Sequence, residues 1–186
     1  MKTEDGRLYV IAGASRSGKT GWTRKQVAKY SRVFVWDVEA DWCDLAGYKK
    51  VTTRAGLLAA AQTKGAQKVA YVAGGKIAAE FDFFAGAAYY AGRYVEPLTV
   101  VAEELADVTT TSKAPNNWGI LLRRGLKRGI NIYAISQRWS EADKTAVGNA
   151  SDFVIFRNSS GDDVRYLSRK TRIPALQIDE LEQMHY

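Results

Sequence analysis

The sequence predicts an α/β fold with a mostly parallel central sheet and helices on both of its faces. Short apolar runs, rich in Val, Ile, Tyr and Phe, alternate with longer stretches that can hold a helix and two turns. Continuous apolar strands separated by helices are typical of parallel sheets that are buried on both faces. The predicted strands are Leu8–Ala12, Val33–Trp36, Val69–Ala73, Leu98–Ala102, Ile130–Ile135 and Phe153–Phe156.

Length and composition indicate one domain over residues 1–186, because this length is within the usual range of a single domain. The hydrophobic content of 46% is incompatible with a disordered chain. A single cysteine and a single histidine exclude a disulfide framework and a zinc site built from Cys and His. The longest apolar region, residues 77–94, is interrupted by charged side chains, so we expect no membrane span. The net charge of +7 permits a polyanionic partner without requiring one.

Residues 13–20 carry the most specific pattern, because they match G-x-x-x-x-G-K-[ST] between a predicted strand and a predicted helix. In such a loop, glycines let main-chain N–H groups converge on a phosphate. The lysine reaches the β- and γ-phosphates, and the hydroxyl that follows it ligates Mg²⁺. The sequence therefore predicts that ATP and Mg²⁺ are bound by Gly13, Ala14, Ser15, Arg16, Ser17, Gly18, Lys19, Thr20 and Gly21.

Two acidic residues, Glu103 and Glu104, end the predicted strand Leu98–Ala102. We expect this strand to lie beside the phosphate-loop strand and to bring one carboxylate near Mg²⁺ and another near the γ-phosphate. Glu103 and Thr20 are the predicted metal residues. Because Glu103 is one methylene longer than the usual Asp, contact through water is an alternative to direct ligation. Glu104 is predicted to orient or deprotonate the attacking water, and a solvated acidic pair is the structural alternative.

Gln137 follows another predicted core strand, Ile130–Ile135. The carboxyl ends of central strands face the crevice where open α/β sheets bind ligands. The Gln137 amide can therefore donate to the γ-phosphate or hold the attacking water. The alternative is a polar residue that merely closes the strand.

A basic segment, residues 118–128, precedes that strand. On a helical wheel the side chains of this segment separate onto two opposite faces. The apolar face carries Trp118, Leu121, Leu122 and Leu126. The cationic face carries Arg123, Arg124 and Lys127, with Arg128 near the edge of that face. Three interpretations stay open: a solvated surface, arginines inserted into the nucleotide site of a neighbouring subunit, and contact with a nucleic-acid backbone.

Two further features have less specific interpretations. The polar connection of residues 107–117 either faces a ring channel, where its hydroxyls and Lys113 touch phosphates, or is disordered. Asp37, at the end of the second predicted strand, is expected to cap the following turn rather than to contact nucleotide.

Together, the stretches GASRSGKT, VVAEEL and RRGLKRGINIYAISQR, followed by FVIFR, resemble the FtsK–HerA branch of phosphate-loop ATPases over residues 7–167. The chain is most similar to the genome-packaging ATPases of tailless, membrane-containing icosahedral viruses. The resemblance implies a RecA-like fold and a homo-oligomeric, commonly hexameric ring. It also implies ATP-driven packaging of double-stranded DNA into a preformed capsid, with capsid or vertex proteins as partners, in the host cytoplasm or on the virion.

The resemblance also assigns roles to residues. It implies a catalytic set of Lys19, Glu103, Glu104 and Gln137, with Arg124 and Arg128 as the favoured arginines acting on a neighbouring subunit. Three alternative functions remain: a small nucleotide or metabolite kinase, an ATP-binding assembly or secretion factor, and a cellular DNA pump. Against the kinase, residues 141–152 offer only one cation, Lys144, where a phosphate-covering lid needs arginines.

Overall fold

A seven-stranded sheet organises the computed structural model, which describes residues 4–93, 97–112 and 114–182. Its strands are β1 (Leu8–Ala12), β2 (Arg32–Trp36), β3 (Tyr48–Val51), β4 (Gln67–Tyr71), β5 (Thr99–Ala102), β6 (Asn131–Ser136) and β7 (Asp152–Ile155). They lie in the order β3-β4-β2-β5-β6-β1-β7, and every pair of neighbours is parallel. The predicted α/β class with a parallel sheet is confirmed.

Eight α-helices connect the strands in the described part of the chain. They are α1 (Lys19–Val27), α2 (Arg54–Gln62), α3 (Ile77–Ala91), α4 (Leu105–Val108), α5 (Asn116–Ile120), α6 (Lys144–Gly148), α7 (Gly161–Thr171) and α8 (Ala175–Asp179). Thr53, Asp143 and Ser160 cap α2, α6 and α7 by accepting a main-chain N–H of the first turn. No helix in residues 4–93, 97–112 or 114–182 combines the length and the apolarity needed to cross a bilayer.

Both faces of the sheet are covered, because successive strand residues point to opposite sides. On β1, Val10 belongs to the larger core cluster, which contains Phe81 of α3 and Trp118 of α5. Its neighbour Ile11 belongs to the smaller cluster, with Val27 of α1. The phosphate-loop helix therefore lies on the opposite face of the sheet from α3 and α5.

The order of the strands corrects one expectation: β5 does not lie beside β1. β6 lies between them and pairs with both, so that Ala134 is level with Ala102 of β5 and Ser136 with Ala12 of β1. Strands that are buried on both faces are mostly apolar, so their sequences do not encode which of them are neighbours. The consequence is that Gln137, directly after β6, lies between the acidic pair and the phosphate loop.

The segment between β5 and β6 also differs from the sequence-based expectation. The polar connection is shortened at both ends, since α4 reaches Val108 and α5 begins at Asn116. Thr109 is buried; its hydroxyl donates to the Leu105 carbonyl (2.6 Å) and accepts the Asp143 N–H (3.0 Å). Thr109 therefore cannot face a channel, whereas residues 110–112 are exposed. Lys113 lies outside the described residues.

Candidate active site

The phosphate loop joins β1 to α1 at the carboxyl edge of the sheet, and two of its positions require glycine. A Cβ on Gly13 would lie 2.6 Å from Ser17 Oγ and 2.7 Å from Phe156 Cβ. Gly18, at the start of α1, has a φ of 104°, which residues with a Cβ rarely adopt. The loop is tied to the strand beyond it by the Ala14 N–H, which donates to the Arg157 carbonyl (2.8 Å).

Two polar side chains of this loop are buried in positions where an anion would satisfy them. Lys19 is only 5% exposed, and its ammonium donates to the Ala14 carbonyl (2.7 Å). Burial lowers the pKa of Lys19, and the negative charges of Glu104 and Glu103 act in the opposite direction. The Ser17 hydroxyl is buried and has no hydrogen-bond partner among the described residues. Buried polar groups are normally satisfied, so these residues fit a loop that binds phosphate oxygens.

Glu103 and Thr20 meet at the mouth of the loop. The Thr20 hydroxyl donates to Glu103 Oε1 (3.1 Å), and Glu103 is 5% exposed. The pKa of Glu103 is raised to about 7, and burial is the largest cause. The Trp42 indole and the Thr20 hydroxyl lower this pKa, whereas the charges of Asp37 and Glu104 raise it. A buried carboxyl beside a hydroxyl offers the oxygen ligands that Mg²⁺ prefers.

Asp37 is buried at the end of β2 and serves mainly to fix the chain that follows. Its carboxylate accepts the main-chain N–H groups of Asp41, Trp42 and Cys43 at 2.9, 3.1 and 3.0 Å. The predicted cap is thus confirmed. Sequence reasoning missed the second effect of this arrangement, in which the Asp37 charge and the Trp42 side chain act on the pKa of Glu103.

Glu104 and Gln137 form a direct hydrogen bond, in which Gln137 Nε2 donates to Glu104 Oε1 at 2.7 Å. Glu104 has a left-handed backbone (φ 48°, ψ 53°), which costs a residue with a side chain about 1–2 kcal/mol. Backbone strain of this kind concentrates at functional sites. A cavity of about 210 Å³ opens at this pair and is lined also by Glu39, Asp107 and Arg138.

Trp139 positions Gln137, although sequence reasoning gave it no role. Its indole N–H donates to the Ile11 carbonyl of β1 (2.8 Å), and the side chain is 1% exposed. The Arg138 N–H donates to Ser136 Oγ (3.2 Å), which also holds the chain close to β6. The only sequence signal was a tryptophan within a polar stretch directly after a core strand.

The two predicted arginines do not join this constellation within the subunit. Arg128 donates to the Tyr89 carbonyl (3.1 Å), and its guanidinium lies 3.8 Å from the centre of the Tyr89 ring. It also lines a cavity with Arg7 and Asn131, at the amino-terminal ends of β1 and β6. Arg124 is exposed in the π-helical segment Leu121–Gly125, which is followed by a 3-10 turn (Leu126–Arg128) before β6, and its exposure agrees with the helical wheel. Any contact of Arg124 or Arg128 with a nucleotide would therefore involve a second copy of the chain.

The chain is similar in sequence to a phage protein and in fold to a viral protein of known structure. No protein-family model matches the chain. Protein P9 of Pseudoalteromonas phage PM2 is 32% identical over 145 residues, which are 75% of this chain. The chain covers 63% of that relative, which is less than two thirds of its length.

Solved structures of one viral protein share the fold. The genome packaging NTPase B204 from Sulfolobus turreted icosahedral virus 2, in complex with sulfate, gives a TM-score of 0.77 at 15% identity over 97% of this chain and 89% of that chain. The same protein in complex with AMPPCP gives a TM-score of 0.73 at 15% identity, over 98% and 90% of the two chains. The phosphate-loop NTPase fold is thus confirmed, as is the similarity to viral genome-packaging NTPases that the motifs indicate.

Proposed function

We propose that the chain is an ATPase that uses ATP and Mg²⁺ to package viral double-stranded DNA into a preformed capsid as a homo-oligomeric ring. The observation that carries this proposal is the convergence of two hydrogen-bonded pairs at one sheet edge. Thr20 contacts Glu103 beside the phosphate loop, and Gln137 contacts Glu104 (2.7 Å) one strand away. The structures of B204 in complex with AMPPCP and ATP-gammaS, on the same fold, support nucleotide binding by this chain.

Binding is the task of the loop itself. Its main-chain N–H groups and the Lys19 ammonium would donate hydrogen bonds to the phosphate oxygens. Thr20 and Glu103 would hold Mg²⁺. A bound Mg²⁺ neutralises charge on the phosphates. No group of three or more His, Cys, Asp or Glu side chains is placed to hold a metal in the described ranges. Two protein ligands suit Mg²⁺, which commonly keeps several waters and binds substrate phosphates.

Hydrolysis is assigned to Glu104 and Gln137. The Glu104 carboxylate orients the attacking water and accepts its proton, and the Gln137 amide holds the water or the γ-phosphate. Because the amide already donates to Glu104 at 2.7 Å, it must exchange that partner when water or phosphate arrives. Gln137 can thus report the state of the nucleotide to the segment that follows it.

We further propose that the chain forms a ring, that the ring binds double-stranded DNA and that it docks on capsid or vertex proteins. It would act on the assembling virion in the host cell. Arg124 and Arg128 are the candidate groups acting on a neighbouring subunit, and both are exposed residues before β6. Arginines of this kind contribute about 10³–10⁵ to the rate of phosphoryl transfer. Mixing Arg124→Ala or Arg128→Ala subunits with Lys19→Ala subunits should therefore restore hydrolysis. No recovery in either mixture, with assembly verified, contradicts these two assignments.

The proposed function is tested by measuring ATP hydrolysis with and without long double-stranded DNA. We expect DNA to stimulate the wild-type protein, Lys19→Ala to lose nucleotide binding, and Lys29→Ala, an exposed lysine just beyond α1, to behave as wild type. Glu104→Gln should still bind ATP but hydrolyse it at least about 10²-fold more slowly, as loss of a general base predicts. Phosphoryl transfer to a small acceptor would instead indicate a kinase, and tight binding without turnover an assembly factor.

A further inference from the structure

A second cavity, of about 590 Å³, lies between α6 and α7 and is the larger of the two that open near residues 137–141. No residue of the phosphate loop lines it. Its charged lining residues are Glu141, Lys144, Asp162, Arg165, Arg169 and Lys170. The proposed hydrolysis of ATP therefore does not use this cavity, and an assignment of DNA to it rests on the proposed packaging function.

The charge of this cavity is positive after its internal pairs are taken into account. Asp162 pairs with Arg165 (2.6 Å), and Glu141 pairs with Arg138 outside the lining (3.5 Å). Lys144, Arg169 and Lys170 have no carboxylate within 4.0 Å in the part of the chain that the structure describes. The lining as a whole carries four cations against two carboxylates, and this excess of positive charge favours an anionic ligand.

The cations of α7 are presented by a well-anchored helix. Ser160 caps its first turn, and Val164, Tyr166 and Leu167 are buried against the core. Lys170 lies over the ring of Tyr166, 5.8 Å from its centre. The anchored helix therefore fixes the backbone positions from which these cations extend.

The basic surface continues on the other side of α7. Arg165 and Arg169 are one turn apart, and both also line a neighbouring cavity of about 320 Å³ with Ser168 and Ala175. The two cavities thus share a ridge of guanidinium groups, whose geometry suits phosphate oxygens. From this arrangement we propose that the α6–α7 cavity is a second phosphate-binding site, which receives phosphate groups of a nucleic-acid backbone or of a free nucleotide.

The experiment compares two double variants that each remove two positive charges. Arg169→Gln with Lys170→Gln alters the cavity, and Lys49→Gln with Lys50→Gln alters exposed lysines of the edge strand β3. Both are made in the Lys19→Ala background, so that binding at the phosphate loop does not contribute. Anisotropy of a fluorescent DNA duplex at several salt concentrations and calorimetry with sodium tripolyphosphate measure binding, and thermal unfolding verifies the fold.

We expect the cavity variant to bind DNA at least about 10-fold more weakly than its control. The slope of log K against log salt should fall by about 2, since each lost phosphate contact removes about 0.9. Loss with the duplex alone identifies the backbone as the source of the phosphate, and loss with tripolyphosphate identifies a free nucleotide. Equal affinities and slopes in the two variants, for both ligands, overturn the proposal.

A second variant keeps the test decisive if the double substitution disturbs α7. Lys144→Gln removes a cation from the α6 wall, at a helix start where a positive charge is unfavourable, so it should not destabilise the fold. We expect a fall of about 1 in the salt slope if the duplex is the ligand, and weaker binding of tripolyphosphate if a free nucleotide is. Binding indistinguishable from the Lys19→Ala parent would contradict the site.

Discussion

Replacing Glu103 by Gln tests the electrostatics of the candidate active site most directly. The carboxyl is 5% exposed, and burial raises its pKa from 4.5 to about 7. Gln keeps nearly the same shape and a carbonyl oxygen that can accept the Thr20 hydroxyl, but it cannot ionise. We therefore expect Glu103→Gln to stabilise the protein at every pH at which the native Glu103 must carry a charge.

The magnitude follows from proton linkage. In the unfolded chain Glu103 loses its proton near pH 4.5, and in the folded protein near pH 7, so the folded protein binds more protons between these values. Its free energy of unfolding consequently falls as the pH rises through this window and stays lower above it. The pKa difference corresponds to about 3 kcal/mol. Lys19 offsets part of this cost, because the Glu103 charge favours its ammonium form, so the expected gain above pH 7 is about 1–3 kcal/mol.

Denaturant titrations at pH 4.5 and about pH 8 measure this difference. The buffer contains a chelator and no nucleotide, so that no bound cation compensates the Glu103 charge. Glu180→Gln, on an exposed residue after α8, is the matched control and should change stability by less than about 0.5 kcal/mol. The reasoning is refuted if Glu103→Gln is no more stable than wild type at about pH 8, or if its gain is the same at both pH values.

Three further substitutions have defined outcomes. Gly13→Ala places a Cβ 2.6 Å from Ser17 Oγ, so it should destabilise the fold by about 1–3 kcal/mol. It should also abolish the thermal shift that Mg-ATP causes, and an unchanged thermal shift would contradict the close approach. Trp139→Phe leaves the buried Ile11 carbonyl without its indole donor and should cost about 1–3 kcal/mol in denaturant titrations, whereas an unchanged midpoint would exclude this anchor. Gln137→Ala should lower kcat by about 10²-fold without weakening binding of an ATP analogue, and equal losses in both would indicate a ground-state role.

The sequence predicted the bounds of a strand well where every residue of that strand is apolar. β1 occupies Leu8–Ala12, as predicted, because all five residues are apolar and a glycine follows. The pattern missed β3, Tyr48–Val51, since Lys49 and Lys50 are exposed at the edge of the sheet. Charged residues on edge strands prevent association with other chains, and they remove the apolar signal at the same time.

The phosphate loop was predictable residue by residue because a local chain geometry specifies its glycines, lysine and hydroxyl. That Glu104 and Gln137 lie at the same edge of the sheet followed from a more general rule, that parallel strands end there. Their direct hydrogen bond depends on β6 lying beside β5, which the sequence did not indicate. Contacts that depend on packing between distant segments carried no such signal. The hydrogen bond from Trp139 to Ile11 joins residues 128 positions apart. Trp42 acts on the pKa of Glu103 from the turn after β2, which Asp37 fixes.

The position of β6 between β5 and β1 gives the segment after it an unusual set of partners. Gln137 donates to Glu104 at the end of β5, and Trp139 donates to Ile11 of β1. The Ser140 N–H donates to Asp163 of α7 (2.8 Å), and Asp163 is 2% exposed. Four consecutive residues thus connect the acidic pair, the phosphate-loop strand and the helix that carries the basic cavity. We therefore expect a ligand that shifts α7 to strain or move this segment and, through it, to change the placement of Gln137 against Glu104.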